Sequence, residues 1–166
     1  MMLVNAPDYD AVIETPVTSI RLGIVMDGSS LAGIDLLSSS PQTQAPTSAT
    51  TQAVVEQLQR YFEDPQWLFS LPVLSKGTDF QQRVWQFMQS IPVGETRRYG
   101  DAAKVLNSAA RAVGGACRRN PVPIVVPCHR IVAANGPGGF NGRRDGAELE
   151  FKRWLLSHEK EQSLGL

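Results

Sequence analysis

Residues 98–119 read RYGDAAKVLNSAARAVGGACRR, and this stretch decides the fold of the second half of the chain. A short helix is predicted from roughly Arg98 to Leu106. Asn107-Ser108 makes a turn, and Ser108 is placed to cap a second helix over Ala109 to Arg119. Two short helices joined by a tight turn are a helix-turn-helix signal, though many helical domains contain such a corner. The composition of the second helix narrows the reading. Adjacent Gly114 and Gly115 each weaken a helix by about 1 kcal/mol relative to alanine, and close approach to another surface is the usual reason for keeping them. That surface is either a neighbouring helix or a nucleic-acid groove. Arg111 and Arg118 stand seven apart, on one face with Gly115 between them, which suits a groove better than a core.

Working outward, Asp79 is placed to cap a helix whose apolar positions are Phe80, Val84, Phe87, Met88 and Ile91, ended by Pro92 and Gly94. At the far end, Leu149, Phe151, Trp154 and Leu155 give a C-terminal helix a packing face, and Glu159 lies four residues beyond Leu155. Taken alone, Glu159 reads as a solvated carboxylate and Tyr99 as a tyrosine at the edge of a core.

Toward the N-terminus, Val17 to Val25 and Leu31 to Leu36 read as two strands about a turn at Asp27-Gly28-Ser29, a strong hairpin signal. Ser38 to Thr51, rich in Ser, Thr, Gln and Pro, reads as a mobile surface loop. A helix follows with Val54, Val55, Leu58, Tyr61 and Phe62 at helical spacing, then a linker from Pro65 to Lys76. This part is a small α/β unit without visible chemistry, and a supporting role is its simplest reading.

The 166 residues suffice for one domain or two small ones. No apolar stretch approaches the ~20 residues of a membrane span. The N-terminus lacks a basic region followed by an apolar core, so a secretory signal is not expected. Cys117 and Cys128 do not make a disulfide framework, and a cytoplasmic protein with reduced thiols is expected. The net charge of zero conceals a division. Residues 1–96 carry four Lys/Arg against ten Asp/Glu, residues 97–153 eleven against four, and the last thirteen one against two. The basic middle segment points to a polyanion, or to a basic face balanced by an acidic neighbour domain; charge alone does not separate these.

Within the basic segment, Pro127-Cys128-His129-Arg130 stands between two apolar runs, Ile124-Val125-Val126 and Ile131-Val132-Ala133-Ala134. A thiol beside an imidazole is a candidate nucleophile. Cysteine proteases bring Cys and His together from distant positions for direct contact, whereas sequence neighbours point apart along a strand or helix. A bridging water is the more natural link here, with a carboxylate orienting the far side of the ring. Two Cys and two His, without metal-binding spacing, do not make a Cys/His-rich zinc site. A buried structural cysteine explains Cys117 well, but leaves Pro127, His129 and Arg130 in an apolar run without a reason.

Preceded by Asn120-Pro121-Val122-Pro123-Ile124, this motif resembles the active-site signature of the O6-alkylguanine-DNA alkyltransferases, the methylated-DNA–protein-cysteine methyltransferases. The likeness runs over most of Gly77 to Glu159. It takes in Gly77 to Trp85, Ile91-Pro92-Val93-Gly94-Glu95-Thr96, Ala110-Arg111-Ala112-Val113-Gly114 and Trp154-Leu155-Leu156-Ser157-His158-Glu159. The resemblance implies an α+β protein. A small N-terminal α/β, ribonuclease H-like domain over 1–74 would precede a helical, winged-helix-like domain with the helix-turn-helix over 75–166. It implies that Cys128 accepts the alkyl group of a guanine flipped from double-stranded DNA. His129 would take the thiol proton through a water, and Glu159 would hold the imidazole tautomer. Tyr99 would donate to the guanine ring nitrogen, and Asn120 would tie the turn carrying the motif. Arg111 would enter the duplex from a minor-groove helix whose Ala110, Gly114, Gly115 and Arg118 meet DNA. Ile131, Gly139 and Phe140 would line the alkyl pocket.

The resemblance further implies a monomer that acts once, with no cofactor, no metal and no membrane partner. Phe140 stands where a tyrosine is frequent in the family, and the loop after it is longer. The chief rival is a non-enzymatic protein of the same architecture that binds alkylated DNA; such proteins replace the acceptor cysteine, which Cys128 argues against. A transcription regulator would need an effector domain, and a thiol hydrolase would turn over esters or peptides.

Overall fold

In the computed structural model, which describes residues 8–38, 42–74, 76–139 and 146–163, the chain opens with three antiparallel strands in sequential order. They are β1 (Ala11–Glu14), β2 (Arg21–Asp27) and β3 (Ser30–Leu37). Leu22 pairs with Leu36 and Ile24 with both Ala11 and Ile34, so one face of the sheet is continuously aliphatic. Asp27 and Ser30 close the expected hairpin, and Gly28 takes the left-handed φ of +61° that the two-residue turn needs.

The first strand does not begin at Val17, as the apolar pattern suggests. Thr15 prevents it: its Oγ1 donates within reach of Val17 O (2.8 Å) and Ile20 O (2.9 Å) and accepts from Val17 N (3.1 Å), knotting residues 15–20 into a turn. The four-residue β1 before it is too short to show an alternation. The polar stretch after β3 is also shorter than expected. Gln44 exchanges both backbone hydrogen bonds with Val12, and Ser48 caps a helix, α1 (Ala49–Glu63), through Thr51 N. Val54, Val55, Leu58 and Tyr61 of α1 are buried in the same cluster as the sheet residues. The linker is likewise tied down, since Leu31 N donates to Pro72 O and Leu74 N to Leu31 O.

Helix α2 (Asp79–Gln89) is capped by Thr78, not by Asp79. Thr78 and Gln81 satisfy each other's backbone N–H groups in a capping box, and Asp79 falls in the first turn. Val84, Trp85, Met88 and the following Ile91 are buried. The two-residue strand β4 (Arg97–Arg98) leads into α3 (Tyr99–Val105), and α4 spans Ala110–Arg118. The turn between the two helices depends on Asn107 at φ +53°, a conformation Asn tolerates. Ser108 does not cap α4; Ala109 takes that position without a side-chain bond, while Ser108 N donates to Ala103 O. Trp85 Nε1 donates to Ala116 O at 2.9 Å and fixes α4 against α2.

After a one-turn 3-10 helix (Cys128–Arg130), strand β5 (Ile131–Val132) pairs in parallel with β4. The last element is α5 (Gly146–Ser163). The architecture is α+β, and buried residues from both halves join one apolar cluster. Among the described residues, no helix is long and apolar enough to cross a membrane.

Candidate active site

The segment leading to Cys128 is an apolar turn tied from within. Asn120 donates from Nδ2 to Val126 O (2.8 Å) and accepts from Val122 N (3.1 Å), and Val126 N donates to Val122 O. Ile124, a β-branched residue, is held at φ +77° in this turn. The turn delivers Cys128 to the start of the 3-10 helix, where it is 6% exposed. Burial pushes its thiol upward; the Asn120 side chain and the Lys152 charge pull it down. Cys117, also raised by burial, to about 12, has no base on its own turn.

His129 follows Cys128 and is completely buried. Its Nε2 lies 2.8 Å from Glu159 Oε2. Burial would raise the Glu159 carboxyl, but the hydrogen bonds and charges of His129 and Arg130 outweigh it and hold the group below the ordinary carboxylate range. An ionised carboxylate can only accept, so Nε2 carries the ring proton. Burial depresses His129 from its ordinary value, with Arg130 and Lys152 acting in the same direction and Glu159 opposing, so the resting ring is neutral. Its lone pair therefore sits on Nδ1, a buried atom with no hydrogen-bond partner among the described residues. The arrangement is a proton acceptor of fixed tautomer beside a buried thiol.

Arg130 completes this cluster. Its Nε and Nη2 donate to the two Glu159 oxygens at 2.9 and 3.1 Å, and Nη1 donates to Ile91 O at 2.7 Å. Such a bidentate pair is the strong form of the ion pair. The cluster thus joins the end of α2, the 3-10 turn and α5. Glu159 is 2% exposed, so its reading as a solvated group does not hold.

Pairing of β4 with β5 brings Tyr99 beside the residues after Cys128. A Cβ placed on Gly138, which has φ +76°, would lie 3.0 Å from Tyr99 Cε2 and 3.3 Å from its hydroxyl. The glycine is what lets the loop pass the ring. Ile131 is fully buried, and Gly139 O accepts from Lys152 Nζ at 2.8 Å, as does Ile131 O. Phe140 lies outside the described residues.

Helix α4 presents two different faces. Val113 and Ala116 are buried, whereas Ala110, Arg111 and Arg118 are exposed and Gly114 and Gly115 half-buried. A Cβ on Gly115 would meet nothing within 4 Å, and one on Gly114 would meet only Tyr99 Cε1 at 4.0 Å. Among the described residues, no neighbouring helix comes close enough to require these glycines. They leave a smooth, cation-flanked surface.

Two participants escaped the sequence reading. Lys152 is a fully buried lysine, 5.9 Å from the Tyr99 ring centroid, with its ammonium pushed down to about 8 by burial. Its signal is positional: Leu149, Lys152, Leu155 and Glu159 recur at spacings of three, three and four, so a cation occupies a core position. Tyr61, placed by its spacing among the apolar residues of α1, donates from its hydroxyl to Glu159 Oε2 at 2.6 Å. Nothing in its local sequence signals that contact.

Residues 79–161 match the family described as 6-O-methylguanine DNA methyltransferase, DNA binding domain. The constitutive methylated-DNA–protein-cysteine methyltransferase of Bacillus subtilis is 47% identical over 107 residues, which span 63% of each chain. The methylated-DNA–protein-cysteine methyltransferase of Methanosarcina acetivorans is 35% identical over 158 residues, 91% of this chain and 97% of that one. The crystal structure of Mycobacterium tuberculosis OGT in complex with DNA superposes with a TM-score of 0.71 at 36% identity, covering 91% of this chain and 92% of that one.

Proposed function

From the premise that this chain belongs to the methylated-DNA–protein-cysteine methyltransferase family, we propose that it repairs O6-alkylguanine in double-stranded DNA by transferring the alkyl group to Cys128. The observation that carries this reading is the setting of His129, with Nε2 2.8 Å from Glu159 Oε2 and Nδ1 buried without a partner among the described residues. Its Nε2–H is committed to Glu159, and Nδ1 is left as an unpartnered acceptor on the same turn as Cys128.

The reaction follows from these groups. Through a bridging water, His129 Nδ1 takes the thiol proton, and the thiolate attacks the O6-alkyl carbon. A sulfur–carbon bond forms, and the carbon–oxygen bond breaks with its electrons passing to the guanine. Tyr99 donates a hydrogen bond to the ring nitrogen and stabilises the charge on the leaving base. The proton that His129 took from the thiol passes through water to that base, returning the imidazole to its neutral form. The thioether has no group that water readily displaces, so each molecule acts once. No metal or cofactor enters this chemistry.

The target base must leave the stack to reach a thiol this deeply set. Helix α4 is the second half of a helix-turn-helix whose Ala110, Gly114 and Gly115 approach the minor groove. Arg111 fills the space the flipped base vacates, and Arg118 meets the backbone. Asn120 holds the turn, and Ile131 and Gly139 border the alkyl pocket. We place the domain division at residues 74 and 75 and expect a cytoplasmic monomer.

The test is to mix the protein with duplex DNA carrying one O6-methylguanine and map the product by mass spectrometry. One methyl on Cys128, at most one equivalent, is expected, and none on Cys128→Ala. Continued turnover, or methyl on Cys117, would sink the mechanism.

A further inference from the structure

We propose that Tyr61, in the N-terminal half of the chain, is a positioning residue for alkyl transfer, and that its hydroxyl sets the basicity of His129 by sharing the Glu159 carboxylate. The proposal rests on the alkyl-transfer reading above and extends it to a part of the chain that shows no chemistry of its own.

The geometry is a contest for one oxygen. Glu159 Oε2 accepts from Tyr61 at 2.6 Å, from His129 Nε2 at 2.8 Å and from Arg130 Nη2 at 3.1 Å. Tyr61 and Glu159 are each 2% exposed, so water does not screen the exchange. Packing does not require the hydroxyl. The Tyr61 ring is held by Phe62, Phe69 and His158, with centroids at 5.9, 5.6 and 5.3 Å, and a phenylalanine would fill the same space. A buried hydroxyl is unfavourable unless it is bonded, and here its partner is the carboxylate that orients the base.

Each donor on Oε2 draws off negative charge that would otherwise stabilise an imidazolium. Tyr61 therefore keeps His129 a weaker base, and it fixes the carboxylate angle against which the ring is aligned. The groups acting on His129 come from three elements. Arg130 shares its turn, Glu159 and Lys152 act on it from α5, and Tyr61 reaches it from α1 through Glu159. His158, also on α5, donates from Nε2 to Tyr61 O at 2.7 Å and holds α1 in register. Burial, then the Glu159 charge, push the Tyr61 phenol far above its ordinary value, so it remains a donor throughout.

The chain contains two histidines, so histidine labelled with nitrogen-15 reports both rings separately. In full-length Tyr61→Phe, the His129 titration should move to higher pH by about half a unit to one unit relative to the unaltered protein. The rising limb of the single-turnover pH–rate profile on O6-methylguanine duplex should move with it, and the plateau should fall about tenfold. Lys152 titrates on the alkaline side in both proteins. Coincident His129 titrations in the two proteins would overturn the proposal, as would a slower transfer whose pH dependence is unchanged. Should Tyr61→Phe fail to fold, 3-fluorotyrosine in a Tyr99→Phe background leaves only Tyr9 and Tyr61 labelled. Its stronger donor should move His129 to lower pH, and an unmoved titration there is equally fatal. If the unaltered protein transfers no methyl, the alkyl-transfer reading fails while the ring titration still decides the role of Tyr61.

Discussion

The cluster around Glu159 and the outer face of α4 are built on opposite terms. Around Glu159, every donor that Arg130, His129 and Tyr61 direct inward meets an oxygen, and water is excluded. On α4, Arg111 and Arg118 are exposed, and among the described residues nothing stands within 4 Å of a Cβ on Gly115. Low dielectric makes the first region able to fix a proton and an angle; exposure makes the second able to meet a polyanion and follow salt. The two regions should therefore fail differently when altered. Changes in the cluster should act on stability and on transfer from any substrate, while changes on α4 should alter transfer only when duplex DNA is present.

Glu159→Gln tests the cluster most severely. It leaves the partly buried Arg130 charge without its counter-ion, and breaking a buried pair costs about 3–5 kcal/mol. Urea denaturation at neutral pH should show that loss, and transfer from both duplex and free O6-benzylguanine should collapse together. Arg111→Ala tests the other region. Losing a DNA-contacting arginine weakens the interaction by about 1–3 kcal/mol, so transfer from duplex should fall at least several-fold while transfer from the free base stays near its original rate. Equal losses on the two substrates would erase the distinction.

Acid should reach the cluster first. His129 is depressed below its ordinary value of 6.5, so the unfolded chain binds a proton the folded one refuses, and stability falls as pH drops through 6.5. Glu159 is depressed below 4.5, and its contribution, present above that value, is lost further into acid. Denaturant midpoints followed from pH 8 down to pH 2 should decline in that order, with the second decline, below pH 4.5, removed in Glu159→Gln. The smallest effect sharpens the contrast. Gly115→Ala adds a methyl where nothing stands within 4 Å, so the fold should gain about 1 kcal/mol. DNA affinity should nonetheless fall, measured by fluorescence anisotropy; unaltered affinity would return the glycines to a structural role.

The legible parts of the molecule were those in which the informative residues are sequence neighbours. Cys128, His129 and Arg130 are adjacent, Arg111, Gly115 and Arg118 follow helical spacing, and Asn120 acts within its own turn. The illegible parts depend on distance along the chain. Tyr61 and Glu159 are 98 positions apart, and α1 periodicity shows only that Tyr61 points inward. Local competition misled in smaller ways. Thr15 stole a strand start from Val17, and Thr78, paired with Gln81, displaced Asp79 as a cap. Lys152 was readable in principle, as a cation at a core position of α5, but its charge masked its place in the apolar pattern.

Lys152 also separates two duties that lysines usually combine. Its Nζ clasps the carbonyls of Ile131 and Gly139, closing the loop between them, and its charge pulls down the Cys128 thiol. An ammonium brings three N–H groups to this task, and the neutral amine still brings two, one for each carbonyl. As pH rises through about 8, the electrostatic help to the thiol fades while the clasp holds. With two donors still available for the two carbonyls, the loop is expected to keep its shape across that titration while the field inside it changes.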